Sequence, residues 1–484
     1  MLLIIGIYFS LLLIISRLTT KNKSNDSFFS GNKRSPWYVI AFGMIGSSIS
    51  GVTFVSVPGM VREFDMTYIQ LVLGFPIGYL IIAYVLLPLY YRLNLVSIYT
   101  YLEGRIGVHA YKTGASFFFL SKIIGAAARL YLVTIILQTF VLDALGIPYW
   151  ITVCVSVAMI WVYTHASGIR TIIWMNFLQT FFLLLMLVLI IAGVMIKMDL
   201  SFDNTMSMIA SDSHSKIFEF GDWSSRQYFF KQFISGIFIT IVMSGLDQGM
   251  MQKNLSCKNL KEAQKNMCWY GFSFIPLNFL FLSLGVLMLN FAQHQQIALP
   301  VVSDEILPLF CTSYLGQPIL IFFTIGVIAA AFSAADSALT SLTTSACIDL
   351  IDIKRFSEEK ARKVRKRTHL LISAVFILII LIFRAVNDRS VIDAIYMIAS
   401  FTYGPLLGLY AFGLFTKSCP RDRWVPYIAI SGPLLCIALK SWVEASTSYR
   451  FGYELLMVNG LIVFVGLVLF SKKGEIWKLK RQNL

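Results

Sequence analysis

The sequence predicts an all-α integral membrane protein of 13 transmembrane helices, arranged as two inverted five-helix repeats with extra helices at either end. Three observations carry this reading. The chain is 57% hydrophobic and only 13% charged, with mean hydropathy +0.74, a composition that soluble globular domains do not show. Its apolar runs repeatedly reach the ~20 residues a helix needs to cross a bilayer. Two of those runs, five spans apart, carry similar clusters of helix-weakening residues.

The elements follow in chain order. Residues 1–17 form helix 0. They lack a basic start and an A-x-A site, and positive charge follows the apolar run, so they read as a retained anchor rather than a signal peptide. A basic linker completes the segment 1–36. Spans 1 to 5, at 37–60, 68–91, 113–142, 149–167 and 171–196, make the first repeat, 37–196. A polar stretch, 197–226, carries Asp199, Asp203, Asp212, Glu219 and Asp222 and is expected outside the cell or in the periplasm. Spans 6 to 10, at 227–251, 269–291, 318–349, 369–386 and 391–416, make the second repeat, 227–416. Spans 11 and 12, at 424–443 and 452–471, lie with a basic tail in the segment 417–484.

The net charge of +15 is distributed unevenly. Arg17, Lys21, Lys23, Lys33 and Arg34 fall on one side, as do Lys253, Lys258, Lys261 and Lys265. The run from Lys354 to Arg367, then Lys417, Arg421 and Arg423, and the tail basics Lys472, Lys473, Lys478, Lys480 and Arg481 join them. The opposite loops are mostly neutral or acidic. The positive-inside bias therefore puts the N-terminus outside and the C-terminus in the cytoplasm. A bacterial inner membrane is the expected location, the lipid bilayer the expected partner, and a monomer the expected state. Basic charge spread over membrane loops in this way argues against nucleic acid. The seven cysteines form no CxxC pair, the five histidines no HExxH face, and there is no GxxxxGK[ST] loop or HxxxxD pair. The chain is not expected to be an enzyme or an ATP-driven pump.

The stretch GSSISGVTFVSVPG, 46–59, sits inside span 1. An unpaired backbone group costs several kcal/mol in hydrocarbon, so irregular backbone survives there only where it lines a cavity or is buried in protein. Two readings are open for so many small and hydroxyl residues: close helix packing, or an unwound segment whose freed carbonyls hold a cation. SGIFITIVMSGLDQG, 235–249, repeats the pattern in span 6. Interrupted helices at corresponding places in two halves mark the binding site of an inverted-repeat transporter.

Several motifs, in order, resemble the sodium:solute symporter family. FFSGNKRSPWYVIAFGMIGSSISGVTFVSVPG is similar to its opening, TYLEGRIG to the loop after span 2, and DQGMMQKNLSCKNLKEAQ to the signature after span 6. AAAFSAADSALTSLTTSACIDL resembles its span 8 and YGPLLGLYAFGLF its span 10. The resemblance covers nearly the whole chain and implies the LeuT-like fold with Na⁺ as coupling ion.

Carried over residue by residue, the main Na⁺ site comprises the carbonyls of Gly46, Ile49 and Ala330 and the hydroxyl of Ser333. Ala334 stands where the family usually has a hydroxyl, which removes one ligand. Some members hold a second Na⁺ between span 8 hydroxyls and a span 5 Asp. That Asp position is Asn176 here, while Asp336 stands at a hydroxyl position beside Ser337. An ionised Asp at bilayer depth costs roughly 2.5–3.5 kcal/mol unless paired. Three roles for Asp336 are open: a second Na⁺ held with Ser337, Ser333 and Asn176, a structural pair with Arg129, or a proton carrier.

Arg129 lies near the middle of span 3, with Lys122 on the same helical face. A guanidinium grips a carboxylate through two parallel hydrogen bonds. Members that carry sialic acid or monocarboxylates resemble this chain in a span 3 Arg and in hydroxyls matching Ser50 and Thr53. Gln70 on span 2 is aligned with a Gln of that subgroup by a short gap. Thr240 and Met243 fall where the family places substrate and inner-gate contacts, and Asp247 and Gln248 read as loop-fixing. Gly404 and Pro405 are expected to interrupt span 10, with close packing the equal alternative. The favoured solute is a small organic anion. The alternatives are Na⁺- or proton-coupled symport of a sugar, polyol or amino acid, or a transporter-like sensor.

Overall fold

A computed structural model describes residues 2–19, 35–164, 169–386 and 391–476. Of the basic residues used to orient the chain, Lys21, Lys23, Lys33, Arg34, Lys478, Lys480 and Arg481 lie outside the described residues. The architecture is helical almost throughout. Helix α1 is Leu2–Thr19, α2 Trp37–Ser48, α3 Gly51–Phe64 and α4 Tyr68–Ile81. They are followed by α5 Val108–Leu137, α6 Tyr149–Thr164, α7 Ile169–Lys197 and the short α8 Phe202–Ser211. The second half contains α9 Phe229–Thr240, α10 Gln248–Asn254, α11 Leu260–His294, α12 Gln317–Ser345 and α13 Glu358–Val386. It closes with α14 Val391–Thr402, α15 Gly404–Phe415, α16 Val425–Ser446 and α17 Leu455–Leu469. One element was not legible in the sequence: an antiparallel ribbon pairs β1, Ser418–Pro420, with β2, Ser471–Ile476.

Seven helices among the described residues are long and apolar enough to cross a bilayer, or nine when each of two bent pairs counts as one span. The bent pairs are α9 with α10, at 72°, and α14 with α15, at 42°. The second bend falls at Tyr403, beside Gly404 and Pro405.

The residues grouped as helix-weakening turn out to do two different things. In span 1 only Ile49 and Ser50 leave the helix, and Pro58 and Gly59 lie within continuous α3. A Cβ on Gly59 would lie 2.2 Å from the Ser303 carbonyl oxygen, so that glycine serves packing. In span 6 the pair Ser235–Gly236 is also a packing feature. A Cβ on Gly236 would lie 2.0 Å from Leu71 O, and one on Gly74 of α4 would lie 2.2 Å from Phe233 O. The α4 and α9 backbones therefore touch, as small residues allow. The second pair, Ser244–Gly245, lies in the π-turn Ile241–Gly245 that leads into the 72° bend.

Helix α12 is the central post. From Gly326 to Ser345 every residue is buried, against α2, α5, α7 and α13. A helix buried on all sides carries its hydroxyls inward, and α12 brings Ser333, Asp336 and Ser337 to the polar cluster described next. Helices α13 and α16 instead expose Leu370, Leu371, Leu378, Tyr427 and Leu434, the outer faces of a membrane bundle.

Candidate ion and substrate site

The site begins with the interruption of span 1. In a continuous helix the Ser50 amide would bond Gly46 O. Here it bonds Ser48 O at 2.9 Å, and the helix restarts with Phe54 N on Ser50 O at 3.1 Å. The carbonyls of Gly46 and Ile49 are thus left outside the ladder. Gly46 is required for a close approach: its amide donates to Thr180 Oγ1 of α7 at 3.0 Å, and a Cβ would lie 2.2 Å from that oxygen. At the interruption a Cβ on Gly51 would lie 2.4 Å from Val133 Cγ2 of α5 and 3.9 Å from Val327 O of α12. Ile49, Ala330 and Ser333 are each fully buried. Loose, buried oxygens of this kind suit a hard monovalent cation.

One turn deeper, the structure corrects the sequence reading. Lys253, counted there as a cytoplasmic loop charge, is 1% exposed and reaches inward from α10. Its Nζ donates to Ser47 Oγ of α2 at 2.8 Å and to Ser337 Oγ of α12 at 2.9 Å. With its amide oxygen facing the ammonium, Asn176 of α7 accepts from the same Nζ at 2.8 Å. The amide nitrogen then reaches Gln179 Oε1 at 3.0 Å and Ser333 Oγ at 3.2 Å. Ser337 in turn donates to Asp336 Oδ1 at 3.1 Å, and Tyr163 OH lies 3.5 Å from Asp336 Oδ2. Asp336, Ser337, Ser333 and Asn176 are therefore brought together as expected, but the cation among them is an ammonium. The Arg129–Asp336 pair is absent, because Arg129 turns to the cavity described next. The signal that marks Lys253 is its place in the DQGMMQK signature, six residues past the bend. Counting charges by loop obscured it.

On the other side of the interruption is a cavity of about 110 Å³. Ser47, Ser48, Ser50 and Thr53 form its span 1 wall, Thr240, Met243 and Ser244 its span 6 wall. Phe75, Tyr79 and Phe274 give it an aromatic flank, and Tyr396 and Tyr403 line it from the span 10 region. Arg129 lines it from α5, half-buried, with no ion pair or hydrogen bond among the described residues. Lys122 lines it too but is held by Asp247 at 2.7 Å, an anion that also accepts from Tyr403 OH at 3.2 Å. The other Asp247 oxygen caps α10 by accepting from Met250 N at 3.0 Å. Gln248 is tied to Ile98 N at 3.0 Å and Val96 O at 2.8 Å, fixing the loop after span 2.

Gln70 stands apart from the cavity. Its amide nitrogen donates to Thr67 O and Gln227 O, and its oxygen accepts from Glu219 N at 3.0 Å. With every bond going to backbone, it braces the 197–226 loop and is not a cavity contact. No group of His, Cys, Asp and Glu among the described residues has the arrangement of a metal centre.

Comparison with known proteins identifies the family and the fold. Residues 28–422 match the sequence model of the sodium:solute symporter family. A sodium/sialic acid symporter of Aliivibrio fischeri is 23% identical, over 96% of this chain and 89% of its own length. One from Proteus mirabilis is 26% identical over 89% and 85% respectively. A solved Na⁺-coupled sialic acid symporter in a substrate-bound outward-open state superposes with TM-score 0.82 at 21% identity, covering 97% of this chain and 98% of that one, which establishes the fold. With the family match spanning most of its length, the chain belongs to the sodium:solute symporter family and is a sodium-coupled transporter, not an enzyme.

Proposed function

We propose that the protein imports a small organic anion, a sialic acid or a monocarboxylate, together with Na⁺ by alternating access of its two halves. One observation carries the choice of an anion. Arg129 is a half-buried guanidinium, unpaired among the described residues, on a polar cavity beside the N-terminus of α3, whose Ser50 makes no side-chain cap. A carboxylate there gains both a bidentate partner and the favourable end of a helix dipole. The names of the two relatives point the same way. The cavity is smaller than the roughly 300–1,000 Å³ of ordinary ligand pockets, so the solute requires the surrounding helices to part.

In this reading the Gly46, Ile49 and Ala330 carbonyls and the Ser333 hydroxyl hold the transported Na⁺. Ser50, Thr53, Arg129, Thr240 and Met243 contact the solute. The repeats are 37–196 and 227–416, and the chain crosses a bacterial inner membrane thirteen times as a monomer, N-terminus out and C-terminus in.

The test is thermal stability of the purified protein against N-acetylneuraminate, lactate, pyruvate and galactose, with Na⁺ or choline. Linkage requires a ligand that shares a state with Na⁺ to stabilise more in its presence. The expected result is Na⁺-dependent stabilisation by a carboxylate and none by galactose. Stabilisation by galactose alone would replace the anion with a neutral sugar.

A further inference from the structure

We propose that the Lys253 ammonium is a resident second cation, taking the place a second Na⁺ would fill and leaving this transporter coupled to one Na⁺. This rests on the reading of the protein as a Na⁺ and organic-anion symporter.

The geometry is that of a filled site. An ammonium has three N–H donors and no acceptor. Lys253 places all three on oxygens, Ser47 at 2.8 Å, Asn176 at 2.8 Å and Ser337 at 2.9 Å, contributed by three different helices. Its charge is answered by Asp336, reached through the Ser337 hydroxyl. Asp336 is fully buried, and a carboxylate at that depth demands a cation. A Na⁺ drawn to Asp336, Ser337 and Asn176 would compete for the oxygens the ammonium already holds and would meet its positive charge. The span 1 carbonyls are not engaged by Lys253, so the Na⁺ position between Gly46, Ile49, Ala330 and Ser333 stays available.

A transport consequence follows. One Na⁺ entering with one monoanion moves no net charge. Accumulation is then driven by the Na⁺ concentration gradient alone, without the roughly fifty-fold that 100 mV would add per uncompensated charge.

The experiment titrates thermal stability of the full-length protein with Na⁺, choline keeping ionic strength constant and no solute present. The slope of stability against log[Na⁺] counts the ions bound. One Na⁺ is expected for the wild type. Lys253→Ala frees the oxygens and strands Asp336, so it is expected either to take up a second Na⁺ or to be destabilised and recover when Asp336→Asn is added. Two Na⁺ in the wild type would overturn the proposal. So would a Lys253→Ala protein that binds one Na⁺ with wild-type stability, or one that Asp336→Asn fails to rescue. A wild type that responds to no Na⁺ at all would instead strike the symport reading itself.

Discussion

Lys122 and Asp247 form an ion pair at 2.7 Å on the cavity wall, while Arg129, seven residues along the same helix, lines the cavity with no ionic partner among the described residues. Two cations on one helical face thus have separate duties. Lys122 ties α5 to the start of α10, and Arg129 is left for the solute. Replacing Arg129 by Gln removes charge-assisted bonds of about 1.5–3 kcal/mol. Carboxylate affinity is expected to fall by about tenfold to a hundredfold, with Na⁺ binding unchanged. Arg129→Lys keeps the charge but loses the two-pronged grip and is expected to fall between. Isothermal titration with N-acetylneuraminate checks both.

The Lys122–Asp247 pair itself is nearly enclosed, with Asp247 only 1% exposed. Removing one partner strands the other, at about 3–5 kcal/mol for a buried pair. Lys122→Met is therefore expected to destabilise strongly in thermal denaturation. The double variant Lys122→Met with Asp247→Asn, which leaves no stranded charge, is expected to recover much of the loss.

Ser333 tests the span 1 and span 8 junction. Its hydroxyl is the one side-chain ligand proposed for Na⁺, since Ala334 offers none. Losing one oxygen ligand of a few is expected to raise the Na⁺ concentration for half-maximal stabilisation by about tenfold, the equivalent of roughly 1.4 kcal/mol. The same variant is expected to weaken carboxylate binding only when Na⁺ is subsaturating, because the two ligands are linked.

Much of this was legible before the fold. Composition and apolar runs identified the membrane class, and the clusters at 46–59 and 235–249 located both interruptions. The carried-over residues Ser50, Thr53, Arg129, Thr240 and Met243 all line one cavity. What escaped were matters of three-dimensional neighbourhood. Lys253 reads as a loop charge along the chain, and only the 72° bend before it turns it inward. Gln70 is apt for a substrate by type but is taken up by the backbone of a loop more than 140 residues away. Glycines that reduce helix stability also permit close helix contact, and sequence alone does not separate the two effects.

That ambiguity yields a packing prediction. Gly236→Ala forces a methyl to within 2.0 Å of Leu71 O. Overpacking of this kind costs about 1–3 kcal/mol, so the melting temperature is expected to drop. Gly125→Ala, with nothing within 4 Å of the added carbon, is expected to be neutral or slightly stabilising, as Ala is the better helix former.

The most direct measurement is uptake of labelled N-acetylneuraminate and lactate into proteoliposomes at zero membrane potential, under an imposed inward Na⁺ gradient. At least one is predicted to accumulate above its external concentration and to leak back when the gradient is collapsed. Ser333→Ala is predicted to need more Na⁺, and Arg129→Gln to need more of the anion at every Na⁺ concentration tested. Equal uptake of these anions with choline in place of Na⁺ would contradict the account.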